Sequence, residues 1–126
     1  MKVLHTKSFL KNCDFIIHSN GTTLYKILNN ENKAYHVLQE CFLNVIKHAD
    51  EKLQVQSISF PFNEKGIWYI DVNECCERLF KAIKQFIKDR KDKSSNGVLN
   101  TIKIICSDDL TALEFIDYFY EKLLYK

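Results

Sequence analysis

The stretch SISFPFNEKGIWYIDVNECCERLFKAIKQFIKDR, residues 57–90, decides the fold. It opens with the short apolar run Ser57–Phe62, continues as a loop over 63–73, and then repeats apolar residues at steps of three and four over about 74–88. A second apolar run, Thr101–Cys106, follows the helix pattern. A strand, a helix and a strand in this order predict a right-handed crossover between parallel strands.

The same alternation extends upstream of this stretch. Residues 2–6 and 15–18 are typical of short strands, and residues 31–52 carry the clearest helical periodicity in the chain. Within the central stretch, Pro61 has no backbone N–H to donate, so we expect it to end its strand or to lie at a bulge.

The last helix is predicted to begin after Ser107, Asp108 and Asp109, whose side-chain oxygens suit a helix N-cap. We expect it to bury Leu113, Ile116, Phe119, Tyr120 and Leu123. With 126 residues and no linker or low-complexity segment, the chain is predicted to be a single α/β domain over 1–126 with a mostly parallel sheet.

Composition excludes several classes of partner. The net charge of +2 comes from 18 basic and 16 acidic residues mixed along the chain, which favours neither nucleic acid nor any strongly charged ligand. No run approaches the length of a signal peptide or a membrane span, so we expect no membrane contact. The five cysteines show no C-x-x-C spacing and are interpreted as buried apolar residues in the cytoplasm or nucleus.

Ligands of open α/β sheets bind beyond the carboxyl ends of the strands. Three segments are expected to meet there, and together they give the candidate ligand-binding residues Ser19, Asn20, Gly21, Lys65, Gly66, Ile67, Trp68, Tyr69, Ser107 and Asp108. The glycines would let backbone N–H groups approach a phosphate, or they serve as ordinary turn residues. Trp68 and Tyr69 would stack on a nucleobase or close the core.

The chain offers no convincing catalytic or metal-binding constellation. Its four histidines form no metal-type pair, and Asp108 with Asp109 is interpreted as a helix cap rather than an acid pair. Cys75 and Cys76 begin a helix, but without an adjacent base we interpret them as core residues. We therefore predict no catalytic residue, no metal and no cofactor.

Several segments together resemble a known family. Residues 10–18, LKNCDFIIH, resemble the macrodomain segment "L-P-C-x-x-V-I-H", and 3–8 resemble the short antiparallel strand that leads into it. Residues 41–49, CFLNVIKHA, are similar to the helix "C-Y-x-N-x-L-x-x-A". Residues 57–61 with Gly66 and Ile67 following resemble "S-I-A-F-P-A-I-S-T-G-I-F-G".

The resemblance implies a three-layer macrodomain-like sandwich that lacks the family's first strands, including its adenine-binding aspartate, its "N-A-A-N" strand and its glycine-rich loop. The strands at 15–18 and 57–62 would then pair directly, or something else would fill the gap between them. Where the family has small residues and Ser-Thr-Gly, this chain has Phe62 to Gly66, and Glu64 would repel a pyrophosphate while Lys65 offsets it in part. Tyr69 replaces the loop's second glycine.

Three hypotheses of function follow from the resemblance. The first is a non-enzymatic binding module related to ADP-ribose readers, whose binding of ADP-ribose or an ADP-ribosylated protein is weakened or lost. The second, compatible with it, is a protein-interaction role in which exposed sheet edges pair with another chain, as in a homodimer. The third is an intact ADP-ribose reader or an ADP-ribosyl hydrolase.

Overall fold

The computed structural model describes residues 3–8, 13–19, 31–67, 70–92 and 96–124. These residues form three α-helices and two two-stranded sheets, which is an α/β arrangement. The elements in chain order are β1 (Val3–Lys7), β2 (Phe15–Ser19), α1 (Glu31–Lys47), a π-helical turn (His48–Leu53), β3 (Ser57–Phe62), α2 (Val72–Asp92), β4 (Thr101–Cys106) and α3 (Asp109–Leu124).

Strands β1 and β2 form an antiparallel hairpin, with Val3 opposite Ser19 and Lys7 opposite Phe15. Within the described residues this hairpin is a sheet of its own, and neither strand pairs with β3 or β4. The direct pairing of β2 with β3 that the family resemblance allowed is therefore not present among these residues.

Strands β3 and β4 are parallel, in register from Ser57 opposite Thr101 to Phe62 opposite Cys106. The backbone N–H of Thr101 donates to the carbonyl of Gln56 at one end, and the N–H of Ser107 donates to the carbonyl of Phe62 at the other. Helix α2 connects the two strands. The predicted strand–helix–strand unit, including the bounds of both strands, is confirmed.

Pro61 neither ends β3 nor makes a bulge, because β3 continues in regular register to Phe62. Backbone groups of alternate residues in a strand point to opposite edges. The carbonyls of Gln56 and Phe62 face β4, so the backbone of Pro61 faces the other edge, which no described strand covers. Its missing N–H thus costs the sheet no hydrogen bond.

The predicted single helix over 31–52 is wrong at its end. Regular α-helix stops at Lys47, and a π-helical turn continues to Leu53. Gln54 then adopts a left-handed backbone with φ 52°, and its N–H donates to the carbonyl of Ala49. This wider turn carries Asp50 in a buried position, where it makes the tertiary contacts described below.

Helix α2 extends beyond the predicted 74–88 at both ends. It begins at Val72, because Asp71 caps it: Oδ1 of Asp71 accepts the backbone N–H of Glu74 at 2.9 Å. It ends at Asp92, so the first residues of the polar loop predicted over 91–97 are helical instead.

The core lies between the three helices and one face of the β3–β4 sheet. Ile58, Phe60 and Phe62 on β3 face it, while the residues between them are exposed. The ring of Phe42 on α1 packs edge-on to Phe60 at 5.5 Å, and the ring of Phe115 on α3 lies 4.5 Å from that of Phe62. Aromatic contacts therefore fix both α1 and α3 against the sheet.

The face that α3 buries differs from the prediction. Leu113, Ile116, Tyr120 and Leu123 are exposed, while Phe119 packs on the core as expected. The residues that α3 places inward are Thr111, Phe115, Tyr118 and Phe119. Both sides of this helix are apolar, and the side with three aromatic rings packs against Phe62 and Phe80.

A buried carboxylate ties together three distant parts of the chain. Asp50 is 1% exposed and accepts the backbone N–H of Leu99 at 3.0 Å. The guanidinium of Arg90, near the end of α2, lies 3.6 Å from Asp50 and donates to the carbonyls of Gly97 and Leu99. The end of α1, the end of α2 and the approach to β4 are thereby held at one point.

Among the described residues, no helix combines the length and the apolar character that crossing a bilayer requires.

We predict that Asp50→Ala lowers the free energy of unfolding by about 3 kcal/mol, because it leaves the Leu99 N–H without its acceptor and Arg90 without its counter-charge. Urea denaturation measures this. The control is Glu51→Ala, which removes an exposed carboxylate from the same turn and should change stability by less than about 0.5 kcal/mol. Equal losses in the two variants would contradict a special role for Asp50.

Candidate functional site

The carboxyl ends of β3 and β4 form a common rim, as predicted for parallel neighbours. The loop 63–71 follows β3, and Ser107 and Asp108 follow β4. The hydrogen bond from Ser107 N–H to the Phe62 carbonyl, 3.0 Å long, holds the two segments side by side. Of the predicted site residues, Lys65, Gly66, Ile67, Ser107 and Asp108 therefore belong to one rim.

In the loop after β3, backbone N–H groups donate to oxygen atoms of the same loop. Asn63 accepts the N–H of Lys65 with its side chain, at 2.9 Å, and the N–H of Gly66 with its carbonyl, at 3.1 Å. Ile67 and Ile70 exchange backbone hydrogen bonds of 3.1 and 2.8 Å. The N–H groups expected to approach a phosphate are thus already bound to oxygens of the loop itself.

Gly66 is required by the shape of this loop. Its φ is +71°, a conformation that residues with a side chain rarely adopt, and a Cβ there would lie 1.9 Å from the carbonyl oxygen of Ile70. The glycine predicted from the sequence as either a phosphate contact or a turn residue is therefore needed for the turn.

The N-termini of both rim helices are occupied by carboxylates of the chain. Asp71 accepts the Glu74 N–H at α2, and Asp108 accepts the Thr111 N–H at 3.1 Å and the Thr111 hydroxyl at 2.7 Å at α3. These hydrogen bonds from Thr111 hold the pKa of Asp108 below its ordinary value. The predicted capping role of Asp108 is confirmed.

The charge on the described part of the rim is mainly negative. Glu64, Asp71 and Asp109 are exposed there and Asp108 is partly so, while Lys65 is the basic residue among them. A helix N-terminus attracts anions, but a carboxylate already bound to it cancels that attraction. The described part of the rim therefore presents more carboxylates than basic groups to solvent.

Of the remaining predicted site residues, Ser19 is described, and strand pairing does not bring it to this rim. Ser19 ends β2 in the separate hairpin sheet. Asn20, Gly21, Trp68 and Tyr69 lie outside the described residues.

The cysteines near the start of α2 are core residues. Cys75 and Cys76 are completely buried, and burial raises the pKa of the Cys75 thiol to about 11 and that of the Cys76 thiol to about 12. Both thiols are therefore protonated and unreactive at neutral pH. The packing interpretation is confirmed for these two and for the buried Cys41, whereas Cys13 is exposed and Cys106 only half-buried.

Sequence reasoning missed a pair of histidines. Nδ1 of His5 on β1 and Nε2 of His48 on the π-helical turn are 2.9 Å apart, and this contact joins the hairpin to the turn that follows α1. Burial lowers the pKa of His48, and the nearby His5 and Lys52 lower it further. The two residues are 43 positions apart, so no local pattern could have found them. Within the described residues no group of three or more His, Cys, Asp and Glu side chains could hold a metal ion.

No protein-family model matches the chain, and no curated protein matches it.

We predict that the protein loses stability as the pH falls below about 6.5. The pKa of His48 is lower in the folded protein than its ordinary value of 6.5, so the unfolded chain takes up more protons in this range. The contribution of His48 to the free energy of unfolding is fully present above pH 6.5. It decreases as the pH falls towards the lower pKa that His48 has in the folded protein. Urea denaturation at pH 7.5 and 5.5 measures it, and His48→Gln should flatten the dependence. His36→Gln, an exposed position on α1, is the control, and an equal effect of both variants would contradict the assignment.

Proposed function

We propose that the chain is a macrodomain-like binding module, related to ADP-ribose readers, in which ADP-ribose binding is weakened or lost. In this proposal the fold is a macrodomain-type three-layer sandwich. The parallel unit β3–α2–β4 and the preceding hairpin β1–β2 follow one another in the order that the resemblance requires.

The edge of β3 that faces away from β4, and that no described strand covers, supports this interpretation. β2 and β3 belong to separate sheets, and the resemblance would set the "N-A-A-N" strand between them. Among the described strands, none but β4 pairs with β3, so its other edge is free of any described partner at that place.

The observation that carries the proposal is the internal pairing of the rim's donors. The N–H groups of Lys65, Gly66 and Ile67 all bond to oxygens within the loop, and Asp71 caps α2. A diphosphate would have to displace these acceptors and to approach the carboxylates of Glu64 and Asp71. Replacing an internal acceptor by a phosphate oxygen would add little binding free energy, because one hydrogen bond is lost for each one formed. Repulsion between the diphosphate and each carboxylate would reduce the binding free energy further.

A protein-interaction role through the sheet edge is compatible with this proposal. The backbone groups of Ser57 and Ser59, together with the carbonyl of Pro61, face the edge of β3 that no described strand covers. A strand from a partner or from a second copy would find two residues of β3, Ser57 and Ser59, whose backbone can both donate and accept a hydrogen bond. Such pairing would be short, and any dimer built on it alone would be weak.

Calorimetric titration with ADP-ribose tests the proposal. We expect no saturable binding by the native chain in the micromolar range, whereas Asp71→Ala, which removes a charge and releases the Glu74 N–H, should bind at least about tenfold more tightly. Asp92→Ala, with the same charge change at the other end of α2, is the matched control and should not gain affinity.

Two outcomes would contradict the proposal. Micromolar or tighter binding by the native chain would show that the binding is retained. Failure of Asp71→Ala to gain affinity while its circular dichroism stays native would show that internal capping is not what closes this rim to ADP-ribose.

A further inference from the structure

Helix α3 carries a second apolar face that the fold leaves in solvent. Its residues are spaced at three and four and are between 51% and 74% exposed. We call this set the outer stripe; it consists of Leu110, Leu113, Ile116, Tyr120 and Leu123.

The outer stripe is not a remnant of the core-facing side. Phe115 and Phe119 lie on the opposite side of α3 and make the contacts to Phe62 and Phe80. A helix apolar on one side packs on its own core, whereas a helix apolar on both sides has a second surface to cover. The outer stripe is about four turns long, roughly 20 Å.

A row of acidic side chains runs beside the outer stripe. Glu114, Asp117 and Glu121 follow one another at steps of three and four, and all are exposed. None of the ion pairs found among the described residues involves them. The basic residue of α3, Lys122, lies over the ring of Tyr118 on the core-facing side and does not neutralise the row.

These charges distinguish between possible occupants of the outer stripe. Two copies of α3 packed antiparallel would bring the acidic row of one against the same row of the other, which is repulsive. In a parallel pair, the acidic row of one α3 would face the opposite flank of the other α3. The described part of that flank has no basic residue. A partner helix with lysine or arginine beside its apolar residues would instead pair with the row along its whole length.

We propose that the outer stripe of α3 docks an amphipathic helix of a partner protein that carries a row of basic residues beside its apolar face. Full burial of the stripe would cover on the order of 600 Å² on this chain, the lower end of specific interfaces. The apolar contact supplies affinity, and the acidic row selects the partner and its direction. The site begins beside the rim but uses none of its residues, so it stands independently of ADP-ribose binding.

The test uses a fluorescein-labelled 18-residue peptide with leucine at heptad positions a and d and lysine at the others, measured by fluorescence anisotropy. We expect saturable binding that weakens at least tenfold in Ile116→Gln/Tyr120→Gln and weakens with added salt. Glu114→Gln/Asp117→Asn/Glu121→Gln should weaken it as well. The same peptide with glutamate in place of lysine should not bind.

The control is Ile87→Gln on α2, which removes a 48% exposed apolar side chain outside the outer stripe and should leave binding unchanged. All these positions are exposed, so the variants should keep the native circular dichroism spectrum. Binding that is unaffected by the stripe variants, or equal binding of the glutamate peptide, would overturn the proposal. A dimer in sedimentation that Ile116→Gln/Tyr120→Gln dissociates would overturn it too, because a second copy would then be the occupant.

Discussion

The pairing of Asp50 with Leu99 and Arg90 is the constraint on which the arrangement of the other elements depends. A carboxylate withdrawn from water is tolerated only when hydrogen bonds and an opposite charge replace the lost hydration. Here those partners come from the segments that end α2 and begin β4, so α1 can bury its last turn only when the whole crossover is in place. Gly97 is part of the same constraint, because a Cβ there would lie 2.0 Å from the Asp50 carboxylate.

The same principle organises the rim at the other end of the sheet. There, oxygen atoms of the chain itself accept the backbone N–H groups of the loop and of the helix start. Asn63 and Asp71 do for the loop what a bound anion does in a phosphate-binding site: they accept the N–H groups that the turn exposes. Such a loop is stable without a bound anion, because its N–H groups already have acceptors within the chain.

The sequence predicts the parts of the fold that depend on local patterns. The bounds of β3 and β4 could be read directly because each is a compact apolar run with polar residues on both sides. The π-helical turn could not, because it serves a contact between Asp50 and residues some 49 positions away. The face of α3 was misassigned because both of its sides carry apolar residues, and only packing against Phe62 shows which is buried. For the candidate site, the sequence located the rim but not the internal acceptors that occupy its donors.

Pro61 has a consequence for how the protein behaves at high concentration. An uncovered strand edge is a template on which further copies can add, and unlimited addition leads to cross-β fibrils. The backbone of Pro61 faces that edge of β3 and has no hydrogen to donate, so a ladder growing there is interrupted at the last odd-numbered residue of the strand. Pro61 thus costs the β3–β4 pairing no hydrogen bond and hinders strand addition at the edge of β3 that no described strand covers.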